Sequence, residues 1–232
     1  MISRFDGPFE SNNLPNLTLN QEITAIKKVL SIETPKQMDG ITAVTEMKEA
    51  NHSKWRETEW QGFYFEFKVL PKLIIANGGA PRRIFRTEFD YGLKRTWDLK
   101  VHSIPSEPRR VDGCQLNDAS SIDLAVEQTG FGLILLNGVP ELDLEFTRWH
   151  KRFRGGPNTE PRRLLKKSFY PLSIDIFFIP NVDRLEQAKE KRELIFFRQG
   201  RQPTGEARNV KYSIDVNKAV NSDLHQIRIP IN

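Results

Sequence analysis

The run "FGLILLNGV" at 131–139 limits this chain more than any other feature. A strand with one wet face alternates apolar and polar residues, whereas a continuous apolar run of this kind needs cover on both faces. It predicts a sheet with helices on either side, and the segments before it fit that plan. "NDASSIDLAVEQTG" offers Asn117 or Asp118 as a helix cap, apolar Ile122, Leu124, Ala125 and Val126, and Gly130 as a stop. Upstream, "TEFDYGLKRTWDLKVHS" at 87–103 reads as two strands folded back on each other, at roughly 83–90 and 96–104. Helix, hairpin, helix and buried strand make an α/β core.

The rest of the chain is read as a single domain over 1–232. Residues 1–52 hold an extended arm at 1–19, a helix in "NQEITAIKKVLSI" capped by Asn20, and a second helix at about 42–50. The core, 53–147, opens with a helix from near Ser53 that ends where Pro71 blocks continuation, its Trp60, Phe63, Tyr64 and Phe67 forming a buried face. A loop with Pro105 and Pro108 follows the hairpin. Residues 148–232 supply a basic loop at 148–167, a strand "SIDIFFI", a charged helix near 182–193, and strands near 194–198, 209–216 and 225–231. The lone Cys114 excludes an internal disulfide and suits a reducing interior, and no stretch approaches the roughly 18 apolar residues of a membrane span. A soluble cytosolic chain is the expectation, with no membrane partner.

Charge is unevenly placed. Residues 1–147 carry 17 Lys or Arg against 21 Asp or Glu, whereas 148–232 carry 18 against 9, so the basic excess lies in the last third. A polyanion is the obvious partner, because neutralising phosphates releases counterions.

On the second strand of the hairpin, Thr96, Asp98, Lys100 and His102 share one face and Trp97, Leu99, Val101 and Ser103 the other. Asp98 and Lys100 are then neighbours, with Cα atoms roughly 6.5–7 Å apart. Asp90, near the end of the preceding strand, reaches the same face if "YGLKR" is the turn. Two converging carboxylates repel unless a cation sits between them, and Mg²⁺, a hard ion that takes one or two carboxylates plus water and phosphate oxygens, is the natural occupant. A surface ion-pair ladder is the competing explanation, worth at most about 1 kcal/mol. His102 reads as a satisfied strand histidine.

Asp90 followed by Asp98-x-Lys100, on a hairpin between two helices and ahead of a buried strand, resembles the PD-(D/E)xK nuclease superfamily over about residues 53–138. Phe89 stands where the family's eponymous proline would be. "GFYFEFKVLPKLI" is similar to the family's helix that contributes a glutamate, which nominates Glu66, with Glu59 as the fallback. The resemblance implies a restriction-endonuclease-like fold, a mixed central sheet flanked by helices with a basic, β-rich C-terminal extension. It further implies a Mg²⁺-dependent endodeoxyribonuclease with Asp90, Asp98, Lys100 and Glu66 as catalytic residues and Asp90 and Asp98 as metal ligands, and no small-molecule cofactor.

With the basic third, the resemblance points to a type II restriction endonuclease that cuts both strands of double-stranded DNA at a short sequence, as a homodimer whose twofold axis matches a palindrome. Arg152, Arg154, Arg162 and Arg163 in "RWHKRFRGGPNTEPRRLLKK", and Arg201, Gln202, Arg208 and Lys211 in "RQGRQPTGEARNVKY", are the candidate DNA contacts, since guanidinium and amide groups read base edges and phosphates. A repair or recombination nuclease resembling a junction resolvase, and a non-catalytic DNA-binding protein, remain open alternatives.

Overall fold

The computed structural model describes residues 17–107, 111–157, 159–198, 200 and 208–231. In chain order come α1 (Leu19–Glu33), β1 (Met38–Asp39), α2 (Gly40–Glu49) and α3 (Trp60–Asn77), then β2 (Ala80–Ile84), β3 (Thr87–Gly92), β4 (Thr96–Ser103) and β5 (Gly113–Asp118). They are followed by α4 (Ala119–Thr129), β6 (Phe131–Asp143), α5 (Leu144–Phe153), β7 (Leu165–Ile179), α6 (Val182–Glu190), β8 (Leu194–Phe197), β9 (Lys211–Asp215), α7 (Val216–Ala219) and β10 (His225–Pro230).

The fold is mixed α/β. A seven-stranded sheet has the order β1-β7-β6-β4-β3-β2, with β10 also pairing β7, and a three-stranded sheet has the order β5-β9-β8. β6 lies parallel to β4, from Thr96 opposite Phe131 to Ser103 opposite Gly138, and antiparallel to the long β7. Its side chains go both ways. Ile134 and Leu136 join a cluster with α1, α2 and α3, while Phe131, Leu133 and Leu135 join a second cluster with α4, α6, β5 and β9. The double cover that the apolar run demanded is therefore supplied by helices on one face and by helices plus the small sheet on the other. Trp97 of β4 lies so close over Gly132 of β6 that a Cβ there would stand 2.1 Å from the ring, which makes glycine obligatory at that position.

Several expected boundaries move. The strand expected at 83–90 is broken by a tight turn at Phe85 and Arg86, which makes β2, β3 and β4 a three-strand meander. α3 starts at Trp60 and passes through Pro71, ending at Gly78, whose φ of 76° closes the helix. Pro71 faces solvent, and burial of Leu73 with packing of Ile74 on the core outweighs the roughly 3 kcal/mol that an interior proline costs. On this helix Trp60, Tyr64 and Phe65 are the buried aromatics, with Phe63 and Phe67 only half-buried. Residues 148–153 belong to α5 instead of a loop, and β5 arises where no strand was expected. Asp118 is the α4 cap, accepting from Ser121 N at 3.0 Å, and Thr18, not Asn20, caps α1. Most of the arm at 1–19, and both Arg201 and Gln202, lie outside the described residues.

The first cluster is tied to the hairpin by one buried carboxylate. Glu22 on α1 is fully buried and accepts from Trp97 Nε1 at 2.8 Å, Arg95 Nη1 at 2.8 Å and Arg95 N at 3.3 Å. Removing it strands a buried indole N–H and a largely buried guanidinium. Glu22→Ala is expected to cost about 3–5 kcal/mol, read as a lower urea midpoint at unchanged m-value.

Candidate active site

β3 and β4 pair at Tyr91–Trp97 and Gly92–Thr96, and continuing that register sets Asp90 across from Asp98. Asp90 Oδ2 accepts from Leu99 N at 2.7 Å, so the strand's own backbone holds this carboxyl against the middle of the Asp98–Lys100 motif. Asp98 Oδ1 accepts from Asn117 Nδ2 at 2.9 Å, an anchor from the end of β5. Its other oxygen, Oδ2, is 2.6 Å from Lys100 Nζ, a buried ion pair between neighbours on one face of the strand. Lys100 Nζ also donates to Leu99 O at 3.2 Å.

A surface ion-pair ladder is ruled out by burial: Asp98 is 0% exposed, while the Lys100 side chain keeps 23% of its surface open. Burial with the neighbouring Asp98 charge pushes the Asp90 carboxyl up to about 9, against the pull of Lys100 and the Leu99 N–H. Burial likewise pushes Glu66 up to about 7, with Lys100 and Lys54 opposing and Asp98 reinforcing the shift. For Lys100 burial works against the charge, but Asp98, Asp90 and Glu66 outweigh it and hold the ammonium well above its ordinary value. These four groups thus form one electrostatic unit.

Of the two helix glutamates, Glu66 is the one that feels Asp98 and Lys100. Glu59 sits at the N-terminal end of α3, 57% exposed, paired with Lys166 at 2.9 Å and Arg163 at 3.3 Å. Burial opposes its ionisation, but Lys166, Gln61 and Arg163 together hold its carboxyl below the usual range.

A cleft of about 890 Å³ opens here, lined by Lys100 and Glu66 of this unit, with Asp90 and Asp98 set behind its lining. Glu66 and Phe63 of α3 form one wall, Leu99 to Ser103 of β4 the floor, Asp112 to Asn117 the opposite wall, and Glu59, Arg163 and Lys166 the rim. Most of these were not nominated from sequence, and three bear on the chemistry. Asn117, which orients Asp98, was seen only as a possible cap. His102 does line the cleft, although it is satisfied there, with Nε2 2.9 Å from Asp112 Oδ1 and Nδ1 3.1 Å from Asn137 Oδ1. Cys114 lines it too, and burial pushes its thiol up to about 12, so it stays protonated and unreactive near neutrality.

Among the described residues, no three Asp, Glu, His or Cys side chains converge closely enough to cage a metal by themselves. Mg²⁺ does not require such a cage, because one or two carboxylates plus phosphate oxygens and water suffice. Asp98, whose Oδ2 faces the Lys100 ammonium, together with Asp90 is a donor set of that kind.

The basic candidates fall into two groups. Arg154 at the end of α5 and Arg162 and Arg163 before β7 converge on one pocket at the cleft's rim, with Arg163 lining both cavities; Arg152 is exposed on α5 and does not line that pocket. Arg208 is exposed, and Lys211 lies opposite Asp118, next along β5 from Asn117. The exposed Asn209 beside them accepts from Arg86 Nη1 at 3.2 Å. No helix among the described residues is long and apolar enough to cross a membrane.

No family model, curated protein or solved structure matches this chain.

Proposed function

We propose that this chain is a Mg²⁺-dependent endodeoxyribonuclease of the restriction-endonuclease-like fold, a type II restriction enzyme that hydrolyses both strands of duplex DNA at a short sequence as a homodimer. The observation that carries this reading is the gathering of Asp90, Asp98 and Lys100 on one face of the β3–β4 pair with Glu66 of α3 within their electrostatic reach, beside a cleft with a basic rim. Asp90 and Asp98 would hold Mg²⁺, which when bound would neutralise charge at the phosphate and make a nearby water more acidic.

The chain's own groups do the rest. Lys100 stays an ammonium, so it acts as a fixed positive charge on a non-bridging phosphate oxygen and not as a base. Glu66, at about 7, takes up a proton near neutrality and is the group placed to accept one from the attacking water. Water oxygen bonds to phosphorus, the bond to the 3′ oxygen breaks, and that oxygen leaves with a solvent proton, giving a 5′-phosphate and a 3′-hydroxyl. One cleft cuts one strand, so a twofold dimer suits a palindromic duplex. The cell would be prokaryotic, the setting cytosolic, and a cognate methyltransferase would shield host sites.

Incubation with phage DNA and Mg²⁺ is expected to give discrete bands on a gel. A smear would replace sequence specificity with a repair-type nuclease, and intact DNA across a series of divalent cations would leave only a binding protein.

A further inference from the structure

Beside the cleft, between α5 and the segment leading into β7, lies a second cavity of about 280 Å³. Its floor holds His150, 0% exposed and packed against Phe146 and Trp149, with ring centroids 5.9 and 6.4 Å away. Both ring nitrogens of His150 are buried without a hydrogen-bond partner. An imidazole in that state has given up water and received nothing in return, so a missing partner is indicated. Burial, with Arg154 nearby, lowers its pKa to about 4, so at neutral pH it offers one N–H donor and one acceptor.

Around it stand Lys151, Arg154, Arg162 and Arg163, against Glu160 as the single carboxylate. How these cations are held matters. Lys151 donates to the Thr159 carbonyl at 2.7 Å and to its hydroxyl, and Arg154 to the Arg56 carbonyl at 3.2 Å, so neutral acceptors fix both without cancelling their charge. Arg162 has no hydrogen-bond or ion-pair partner among the described residues, and the Glu160 carboxylate is gripped by Arg148, which lies outside the cavity. Positive charge converges on an open cavity whose floor has an unused donor.

We propose that this cavity binds a phosphate group, with the His150 N–H donating to one oxygen and Arg154 and Arg162 neutralising the others. Arg163 belongs to both cavities, so the source we assign is a backbone phosphate of the strand lying in the cleft, an assignment that rests on the nuclease reading. The bare phosphate site does not.

The test uses the full chain in two arms. In the first, inorganic phosphate is titrated by calorimetry without DNA or divalent cation, against chloride at equal ionic strength. Saturable binding is expected, weakened at least roughly fivefold in Arg162→Ala and in Arg154→Ala. His150→Asn, retaining a donor, is expected to bind better than His150→Phe, which separates the imidazole's role from loss of packing. No saturable binding by the wild type, or equal binding by wild type and both arginine variants, overturns the site. In the second arm, a short duplex is bound in Ca²⁺ and followed by anisotropy. A roughly tenfold loss in Arg162→Ala supports the backbone source; unchanged duplex affinity with weakened inorganic-phosphate binding overturns that source and leaves a free phosphate as the ligand. Because the first arm contains no DNA, a chain that proves unable to cleave still gives a clear answer about the pocket.

Discussion

Asp98→Asn is expected to lower strand cleavage by at least roughly 10²- to 10³-fold while duplex binding in Ca²⁺ survives. The carboxylate is fully buried and lies 2.6 Å from the Lys100 ammonium, so the substitution takes away the charge that holds this lysine and half of the proposed ligand set. Folding is preserved because the Asn117 amide can turn over and accept from the introduced side-chain amide where it previously donated at 2.9 Å to the carboxylate. The checks are a plasmid cleavage time course, anisotropy on a cognate duplex, and far-ultraviolet circular dichroism. Cleavage at wild-type rate by a folded Asp98→Asn protein would sink the nuclease proposal outright.

Asp90→Asn has the opposite effect on stability. The folded-state pKa of Asp90, about 9, lies above the 3.8 of an ordinary aspartate, so between those values the folded chain binds more protons than the unfolded one. Stability therefore falls as pH rises from about 4 towards about 9, and Glu66, lifted from 4.5 to about 7, adds a loss of the same sign over its narrower window. Asparagine keeps an oxygen for the Leu99 N–H and carries no charge to bury. Near pH 8, without divalent cation, the Asp90→Asn melting temperature is expected to exceed wild type by about 3–8 °C, with the gap closing near pH 4. Mg²⁺ should raise the wild-type melting temperature near pH 8 and leave the variant unmoved, since the metal takes the place of the proton. A variant no more stable than wild type anywhere in that range would contradict the burial of an uncompensated carboxylate.

The parts of this molecule that follow short periods were legible. The two-residue alternation of β4 put Asp98 and Lys100 on one face, and the unbroken apolar run at β6 required the two-sided cover that the helices and the small sheet provide. Where tertiary packing competes with a local signal, the sequence misled. Pro71 looked like a stop, but Leu73 and Ile74 downstream had a core to reach. α5 hid behind its charge density and the glycines that follow it; its signal was the helical stripe of Phe146, Trp149, His150 and Phe153 after Asp143, whose carboxylate accepts from Phe146 N at 2.5 Å. Asn117 on β5 and Asp112 just before it reached the cleft through a strand made only by pairing with β9, nearly a hundred residues on in the sequence, and no local pattern encodes such pairing.

β4 is laced on one edge to β3 and, over its full length, to β6 on the other, whereas Arg154, Arg162 and Arg163 stand on a helix end and a connecting segment outside the large sheet. On the proposed nuclease reading, chemistry and discrimination would thus be mounted on separate supports. A lineage built on this plan could revise its outer contacts substitution by substitution, acquiring new preferences, while the groups proposed to break the bond keep their places.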